Sequence, residues 1–158
     1  MLTICSTISA QVSTSGTTQN GNYSSAIGYY SYAGPGAAST AMGRSTDATG
    51  WASTSMGGYT LASGDASTAI GYYSTASDYA SLAIGQYNSS GSSVTNSSTS
   101  FSTSNTAFII GNGVDSSNRS DAFKVMFSGD TYVSGELYAA GLNLGGVEIG
   151  RASCRERV

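Results

Sequence analysis

The sequence contains no histidine and very little charge. Of its 158 residues, 9% are charged, against roughly 25% in ordinary globular domains. Without histidine, Ser-His-Asp catalysis, Cys-His catalysis and histidine-based metal sites are excluded. No carboxylate pair is placed for acid–base chemistry. We therefore predict no catalytic residues, no cofactor and no metal, and we predict that the protein is not an enzyme.

Basic residues, cysteines and long apolar runs are also scarce. The net charge is −3, so no basic surface is available for phosphates and no nucleic-acid partner is expected. There is no apolar run of about 18 residues, so no segment of this chain is expected to span a membrane. The two cysteines, Cys5 and Cys154, lie in end segments that we interpret as foreign to the fold, and no structural disulfide between them is expected.

Both ends differ in character from the rest of the chain. Residues 1–10, MLTICSTISA, end in small residues and are typical of the remnant of a truncated signal peptide; the other interpretation is a frayed first strand. Residues 149–158, IGRASCRERV, hold three of the six basic residues. This segment resembles the translation of a common sequencing-library adapter, and we interpret it as an artefact.

The centre of the chain consists of repeats, and this argues against a disordered low-complexity chain. Five related pentapeptides are SSAIG at 24–28, STAMG at 39–43, STSMG at 53–57, STAIG at 67–71 and SLAIG at 81–85. Their glycines are spaced 15, 14, 14 and 14 apart. The extra residue falls in a turn-rich stretch, Gly-Pro-Gly-Ala at 34–37, where an insertion is cheap. Such a fixed period is the signature of a solenoid.

Each 14-residue unit divides into two sevens, each with the pattern Ser/Thr-x-Ala. Glycine recurs too often for a helix, since each would cost about 1 kcal/mol there. We predict an all-β fold, a parallel β-roll or solenoid of short three-residue strands joined by glycine turns. Residues two apart in a strand share a face, so the Ser/Thr and Ala residues are expected to fill a thin interior.

The residues between them are then expected to point outward. In the first half-unit they include Ile27, Met42, Met56, Ile70 and Ile84. In the second half-unit the matching residues are Gly34, Thr49, Ser63, Ser77 and Gly91. A continuous apolar column on one outer face is not expected to remain exposed to water. We predict that it is the interface of a homotrimer, since identical copies usually close into a ring. The alternative is that the faces are swapped and the column fills a monomeric core.

Aromatic residues follow the motif glycines. Candidate exposed adhesive aromatics are Tyr30, Tyr59, Tyr73 and Tyr87 in that position, and Trp51 and Tyr79 in the turn after the second half-unit. Rows of exposed rings suit protein or sugar recognition. Packing between neighbouring coils is the alternative.

A loop around Gly111 and Asp115 lacks the spacing of a phosphate or calcium loop and is interpreted as a turn; Asp65, Asp78 and Asp130 are also interpreted as turn residues.

The five pentapeptides, each followed by Ser/Thr and Ala at fixed offsets, resemble the head repeats of YadA-like trimeric autotransporter adhesins over residues 22–91. The resemblance implies a left-handed parallel β-roll that trimerises with itself on a bacterial outer surface. It further implies attachment to cells, matrix or surfaces, through an extracellular protein, glycan or surface ligand.

The part of the chain after the repeats changes composition. Residues 92–106 are Ser/Thr-rich and are interpreted as a linker or a degenerate coil. In 107–148, AFKVMF predicts a half-buried strand, Ser-Gly-Asp at 128–130 a turn, and 131–137 the next strand. This part weakly resembles fibre segments of phage-tail-like proteins, so a trimeric tail fibre is an alternative function. An ice-binding solenoid ranks lower, because the register of Thr40, Thr54 and Thr68 breaks at Ser25 and Leu82.

Overall fold

The computed structural model describes residues 15–138 and the backbone of two further strands at 141–144 and 147–150. The segment interpreted as a signal remnant, 1–10, lies outside the described residues, as do positions 151–158 of the segment interpreted as an artefact. No helix forms among the described residues. The strands, in chain order, are β1 (Thr18–Gln19), β2 (Ser25–Tyr29), β3 (Tyr32–Ala33), β4 (Thr40–Arg44), β5 (Asp47–Ala48), β6 (Thr54–Gly58), β7 (Leu61–Ala62), β8 (Thr68–Tyr72), β9 (Thr75–Ala76), β10 (Leu82–Gln86), β11 (Thr106–Asn112), β12 (Asp121–Met126), β13 (Thr131–Val133), β14 (Gly141–Leu144) and β15 (Val147–Gly150).

The repeats form stacked parallel coils. One strand of each coil joins a large sheet in the order β2-β4-β6-β8-β10, and the other joins a small sheet in the order β1-β3-β5-β7-β9. Equivalent positions of the repeat pair directly, as in Met42↔Met56 and Ala48↔Ala62. The prediction of a parallel β-solenoid with two half-units per coil is confirmed. β14 and β15 form a separate antiparallel pair.

The strand lengths differ from the prediction. The strands of the repeats have five residues in the large sheet and two in the small sheet, not three in each. The reason is that the motif glycine lies inside the strand, where Gly43 pairs with Gly57. Its φ of 134° bends the strand without ending the ladder. The corners that follow are made by other residues.

The interior of the roll is filled by small side chains. Ala26, Ala41, Ala69 and Ala83 from the large sheet are fully buried, as are the alanines of the small sheet. Apart from Ile109, the buried hydrophobic residues of the described chain are all alanines. The sequence prediction of a Ser/Ala interior is confirmed, and the alternative with the Ile/Met column inside is wrong. Two sheets this close leave no volume for larger side chains.

The buried hydroxyl groups bond within the roll, except that of Ser74, whose Oγ has no hydrogen-bond partner among the described residues. Thr46 Oγ1 donates to Ser31 Oγ at 3.0 Å, and Ser31 Oγ donates to the Gly43 carbonyl at 2.9 Å. Ser55 and Thr60 share a hydrogen bond of 2.7 Å across the interior. These bonds offset the cost of burying the hydroxyls but add little net stability. The roll therefore gains little from its own core, because alanine and serine bury little apolar surface.

Two corners of each coil use left-handed backbone. At one corner the residue is Tyr30, Ser45, Tyr59, Tyr73 or Tyr87, and at the other it is Tyr23, Ala38, Ala52, Ala66 or Ala80; all have φ between 42° and 61°. Non-glycine residues in this region carry strain of roughly 1–2 kcal/mol. The ladder of backbone hydrogen bonds between coils holds them there, as in Ala66 N donating to Trp51 O.

The roll continues beyond the repeats found in the sequence. β11 pairs in parallel with β10, with Ile84 opposite Ile110 and Gly85 opposite Gly111. It is therefore a sixth parallel strand of the large sheet, although it falls in the 107–148 segment that the sequence pattern separates from the roll. β12 and β13 then extend the sheet as an antiparallel hairpin, with the predicted turn at Gly129 and a shorter last strand than the predicted 131–137.

The loop between β10 and β11 is fixed by buried polar side chains. Asp78, fully buried, accepts hydrogen bonds from Thr95 N at 2.6 Å, Thr106 N at 2.8 Å and Thr106 Oγ1 at 2.6 Å. Asn105, also fully buried, bonds the backbone of Ser97 with both its amide oxygen and its amide nitrogen. The segment interpreted as a linker or degenerate coil, 92–106, contains no strand before Thr106, where β11 begins, but is held against the roll.

Asn88 ends the small sheet. Its Oδ1 accepts a hydrogen bond from Thr75 N and its Nδ2 donates to Thr75 O, both at 2.8 Å. The side-chain amide thus takes the place that the backbone of a sixth short strand would occupy beside β9. The edge of β9 is thus satisfied at Thr75 by one side chain, and Ser77 N beside it donates to the Gly91 carbonyl at 3.0 Å.

Candidate functional site

The predicted interface column lies on the outer face of the large sheet. Ile27, Met42, Met56, Ile70 and Ile84 stand in register on neighbouring strands. Ile70 is 38% exposed, and the other four are half-buried. Their burial comes from one another and from the flanking positions, since the strands themselves present them outward. One side of the column is therefore open in the single chain.

The same face continues through the C-terminal hairpin, and the sequence reasoning missed this. Ile110 follows Ile84 in register, Phe123 lies opposite Ile110, and Val133 lies opposite Phe123. We call these eight residues, from Ile27 to Val133, the apolar strip. At about 4.8 Å per strand its length is about 34 Å. The signal was present as Phe-Ile-Ile-Gly at 108–111, which matches the x-Ala-Ile-Gly pattern except that Ile109 replaces the alanine.

A second column on the same face changes from polar to apolar. Thr40, Thr54 and Thr68 stand in register, and the column goes on as Leu82 and Phe108. Phe108 contacts Phe123 with ring centroids 6.1 Å apart. The threonine array is thus three residues long and lies beside the apolar strip. Because Leu82 and Phe108 follow the threonines, the apolar surface is wider toward the C-terminal end of the sheet.

Three of the predicted adhesive aromatics form a stack. The rings of Tyr59, Tyr73 and Tyr87 lie parallel, with centroids 4.6 and 4.8 Å apart, which equals the spacing of the coils. Tyr72 meets all three rings edge-on. The left-handed corner sets the direction of each ring, so the stack follows from the repeat. All three stacked tyrosines are half-buried, and the interpretation as packing between coils accounts for their faces.

A basic side chain lies at each end of this tyrosine stack. The Arg44 guanidinium carbon lies 5.2 Å from the Tyr59 ring centroid, and that of Arg119 lies 5.8 Å from the Tyr87 ring centroid. Burial of the Tyr87 ring, followed by the neighbouring Tyr72 and Tyr73 phenols, raises the pKa of Tyr87 above its ordinary value. The stack is a rigid ridge that offers ring edges and hydroxyl groups.

The other predicted aromatics differ in exposure. Trp51 is 57% and Tyr30 is 59% exposed, whereas Tyr79 is half-buried at a turn. The backbone N of Trp51 donates to Asp65 Oδ1 at 2.8 Å, which fixes the corner that carries the indole. Trp51 and Tyr30 are the members of the predicted set with the most ring surface available to a partner.

The Asp115 loop has the geometry of a side-chain-capped turn. Asp115 Oδ1 accepts hydrogen bonds from Ser117 N and Asn118 N, both at 2.8 Å. The Asn118 amide bonds both carboxylate oxygens. These bonds, that of the Asn118 side chain foremost, lower the pKa of Asp115. The carboxylate is thus engaged by its own loop. No group of three potential metal ligands occurs among the described residues.

Together these features define a protein class: a parallel β-roll of stacked 14-residue coils with an open apolar strip along one outer face. The family model of the YadA head domain repeat matches the chain twice, over residues 20–46 and 62–88. The chain therefore contains YadA head repeats, as the resemblance predicted. The interval between the two matches forms coils of the same register.

Comparison with curated proteins gave no match, and neither did comparison with solved structures. Within the described part of the chain, no helix is both long and apolar enough to cross a bilayer.

Proposed function

We propose that this chain is the head segment of a trimeric adhesin on a bacterial surface, with no catalytic role. The observation that carries the proposal is the open apolar strip on a roll that contains YadA head repeats. Such repeats belong to trimeric autotransporter adhesins, which attach cells to other cells, matrix or surfaces. The same proposal includes the division of the chain into head repeats and a following segment, the homotrimer, and the attachment to cells, matrix or surfaces.

The balance of apolar surface favours assembly. Among the described residues, the roll's interior consists of alanine and hydroxyl-bearing side chains with one larger aliphatic residue, Ile109, whereas the eight larger apolar residues of the strip lie on the outer face. Burying one such side chain contributes about 1.5–3 kcal/mol. An apolar strip parallel to the roll axis suits copies that lie side by side around a common axis, and a closed ring of copies leaves no strip exposed to water.

Assembly is tested by light scattering on purified chain, where we expect a trimer. Ile70→Glu places a charge in the middle of the apolar strip, and we expect it to give monomers, because an unpaired charge in an apolar interface is strongly unfavourable. The matched control is Leu61→Glu, which makes a similar change on the outer face of the small sheet and should leave the trimer intact. A folded wild-type monomer, or a trimeric Ile70→Glu variant, would contradict the assembly.

Attachment is tested with beads that carry the purified protein, on matrix-coated wells, cultured cells and bare plastic. We expect wild-type beads to adhere to at least one of these. Trp51→Ala should reduce adhesion about tenfold or more, because an exposed indole on a fixed corner has the character of a binding hot spot. Tyr138→Ala removes another ring, one that is 89% exposed but lies outside the repeats, and should have no effect. Wild-type beads that adhere to none of the surfaces would refute an adhesive function.

A further inference from the structure

A cleft of about 360 Å³ lies where the roll ends, between the corner after β10 and the hairpin β12–β13. Its walls include Arg119, Lys124 and Tyr132, with hydroxyl groups from Ser89, Ser120 and Ser134. A volume of this size is within the range of small-ligand pockets. The sequence reasoning did not predict it, since its residues come from four separate segments.

The cleft concentrates positive charge in an acidic chain. The described residues contain three basic side chains, Arg44, Arg119 and Lys124, and two of them line this cleft. Its one carboxylate, Asp121, accepts hydrogen bonds from Ser89 N at 2.8 Å and Ser90 N at 2.9 Å. Among the described residues no ion pair involves either cation of the cleft. The cleft therefore favours an anion.

Both cations are held in place by neighbours. Arg119 Nη1 donates to the carbonyls of Tyr73 at 3.3 Å and Asn88 at 3.2 Å, and the guanidinium lies over Tyr87. Lys124 Nζ lies 4.3 Å from the centroid of the Tyr132 ring, a contact that orients the ammonium group. Tyr132 remains 52% exposed, so part of its ring is available for stacking. Pre-ordered groups lower the entropic cost of binding.

The two side chains at the centre of the cleft, those of Lys124 and Tyr132, lie on the face of the sheet opposite the apolar strip. Lys124 lies opposite Ile109 on one side and Tyr132 on the other, and Ile109 is fully buried inside the roll. Lys124 and Tyr132 thus continue the interior face of the large sheet beyond the point where the small sheet stops at β9. The strip residue Phe123 lies on the opposite face of the sheet, and Val133 is the one strip residue that also lines the cleft.

We propose that this cleft binds an acidic sugar residue, with the carboxylate or sulfate at Lys124 and Arg119, the sugar ring against Tyr132, and its hydroxyls at the cleft serines. Two cations, an exposed ring and several hydroxyls match that chemistry. Two basic groups on a chain of net charge −3 are too few for a nucleic-acid track. The inference rests on the proposed adhesive function, for which it names the ligand class.

The test is titration calorimetry of the assembled full chain with three probes: 3′-sialyllactose, lactose 3′-sulfate and lactose. We expect at least one acidic probe to bind and lactose to bind at least tenfold more weakly. The two acidic probes distinguish a carboxylate from a sulfate as the recognised group. Lys124→Gln should weaken binding about tenfold, and Tyr132→Ala should weaken it as well. Arg44→Gln removes the same charge far from the cleft and should bind like wild type.

Equal binding of lactose and the acidic probes, no binding of either acidic probe, or an equal loss in Arg44→Gln would overturn the proposal. Light scattering and bead adhesion of the same samples separate the two proposals. A trimer that adheres but binds neither acidic probe refutes the cleft alone. A wild-type monomer that does not adhere refutes the proposed function, whatever the cleft binds. Circular dichroism confirms that each variant is folded.

Discussion

Replacing Gly57 with alanine is expected to destabilise the roll by about 4 kcal/mol or more. A Cβ at this position would lie 2.1 Å from the carbonyl oxygen of Gly71 on the next coil, and that oxygen belongs to the backbone ladder and cannot turn away. The φ of 118° adds strain of about 1–3 kcal/mol. Overpacking inside a close-packed region costs roughly another 1–3 kcal/mol. The effect is measured by urea unfolding, followed by circular dichroism at one fixed protein concentration.

Alanine substitutions at two other glycines distinguish the effect of the steric clash from that of the backbone strain. Gly129 has a φ of 94°, and a Cβ added there would have no atom within 4 Å; Gly135 likewise has open space. Gly129→Ala should therefore cost about 1–2 kcal/mol from backbone strain alone. Gly135→Ala should change the free energy of unfolding by less than about 0.5 kcal/mol. A Gly57→Ala variant as stable as Gly135→Ala would mean that the coils do not approach each other this closely.

The regular part of this fold was predictable because its period is short and its residues are small. Five glycines at near-constant spacing predict stacked coils, and Ser/Thr-x-Ala predicts which face is inside. The position of Gly43 and its equivalents within strands was not predictable from spacing alone. A glycine in a short repeat is most simply interpreted as a turn, and only the pairing of each with the next glycine identifies it as a strand residue.

The sixth strand was missed because an insertion hides it. Gly85 and Gly111 are 26 residues apart, so the period is lost even though Phe108 to Gly111 keep the motif's pattern. An insertion can end the roll or only interrupt it. The outcome depends on whether the chain after the insertion pairs with the large sheet again. Asn88, which satisfies the edge of β9 at Thr75, lies where the chain departs, but one asparagine among several polar residues gives no such signal.

The candidate site likewise has parts that could be predicted from the sequence and parts that could not. The orientation of Ile70 and its column could be predicted from alternation along a strand. The tyrosines could be predicted to form a column. That each ring face is covered by the next tyrosine ring depends on the left-handed backbone at the corners. The cleft around Lys124 depends on where the small sheet stops, which is a tertiary property.

The second large effect is expected at Asp78, a residue that the sequence suggested to be an ordinary turn aspartate. Asp78→Ala should lower the free energy of unfolding by about 3 kcal/mol. The change leaves three buried or partly buried donors, on Thr95 and Thr106, without their acceptor, and each unsatisfied group costs about 1–3 kcal/mol. Because those donors hold the start of β11 and the loop before it, hydrogen exchange at the Thr95 and Thr106 amides should become faster than in β4 and β6.

Asp78→Asn tests the pattern of the bonds rather than the space they fill. One carboxylate oxygen accepts from Thr95 and the other accepts from Thr106, so an amide must turn its NH₂ group toward a donor on one side. We expect an intermediate loss of about 1–2 kcal/mol. Asp130→Ala is the matched control, because Asp130 is exposed and bonds only within its own turn; it should change stability by less than about 0.5 kcal/mol. If Asp78→Ala were no worse than Asp130→Ala, the buried carboxylate would not be what joins β11 to the roll, and the sixth strand would depend on its ladder with β10 alone.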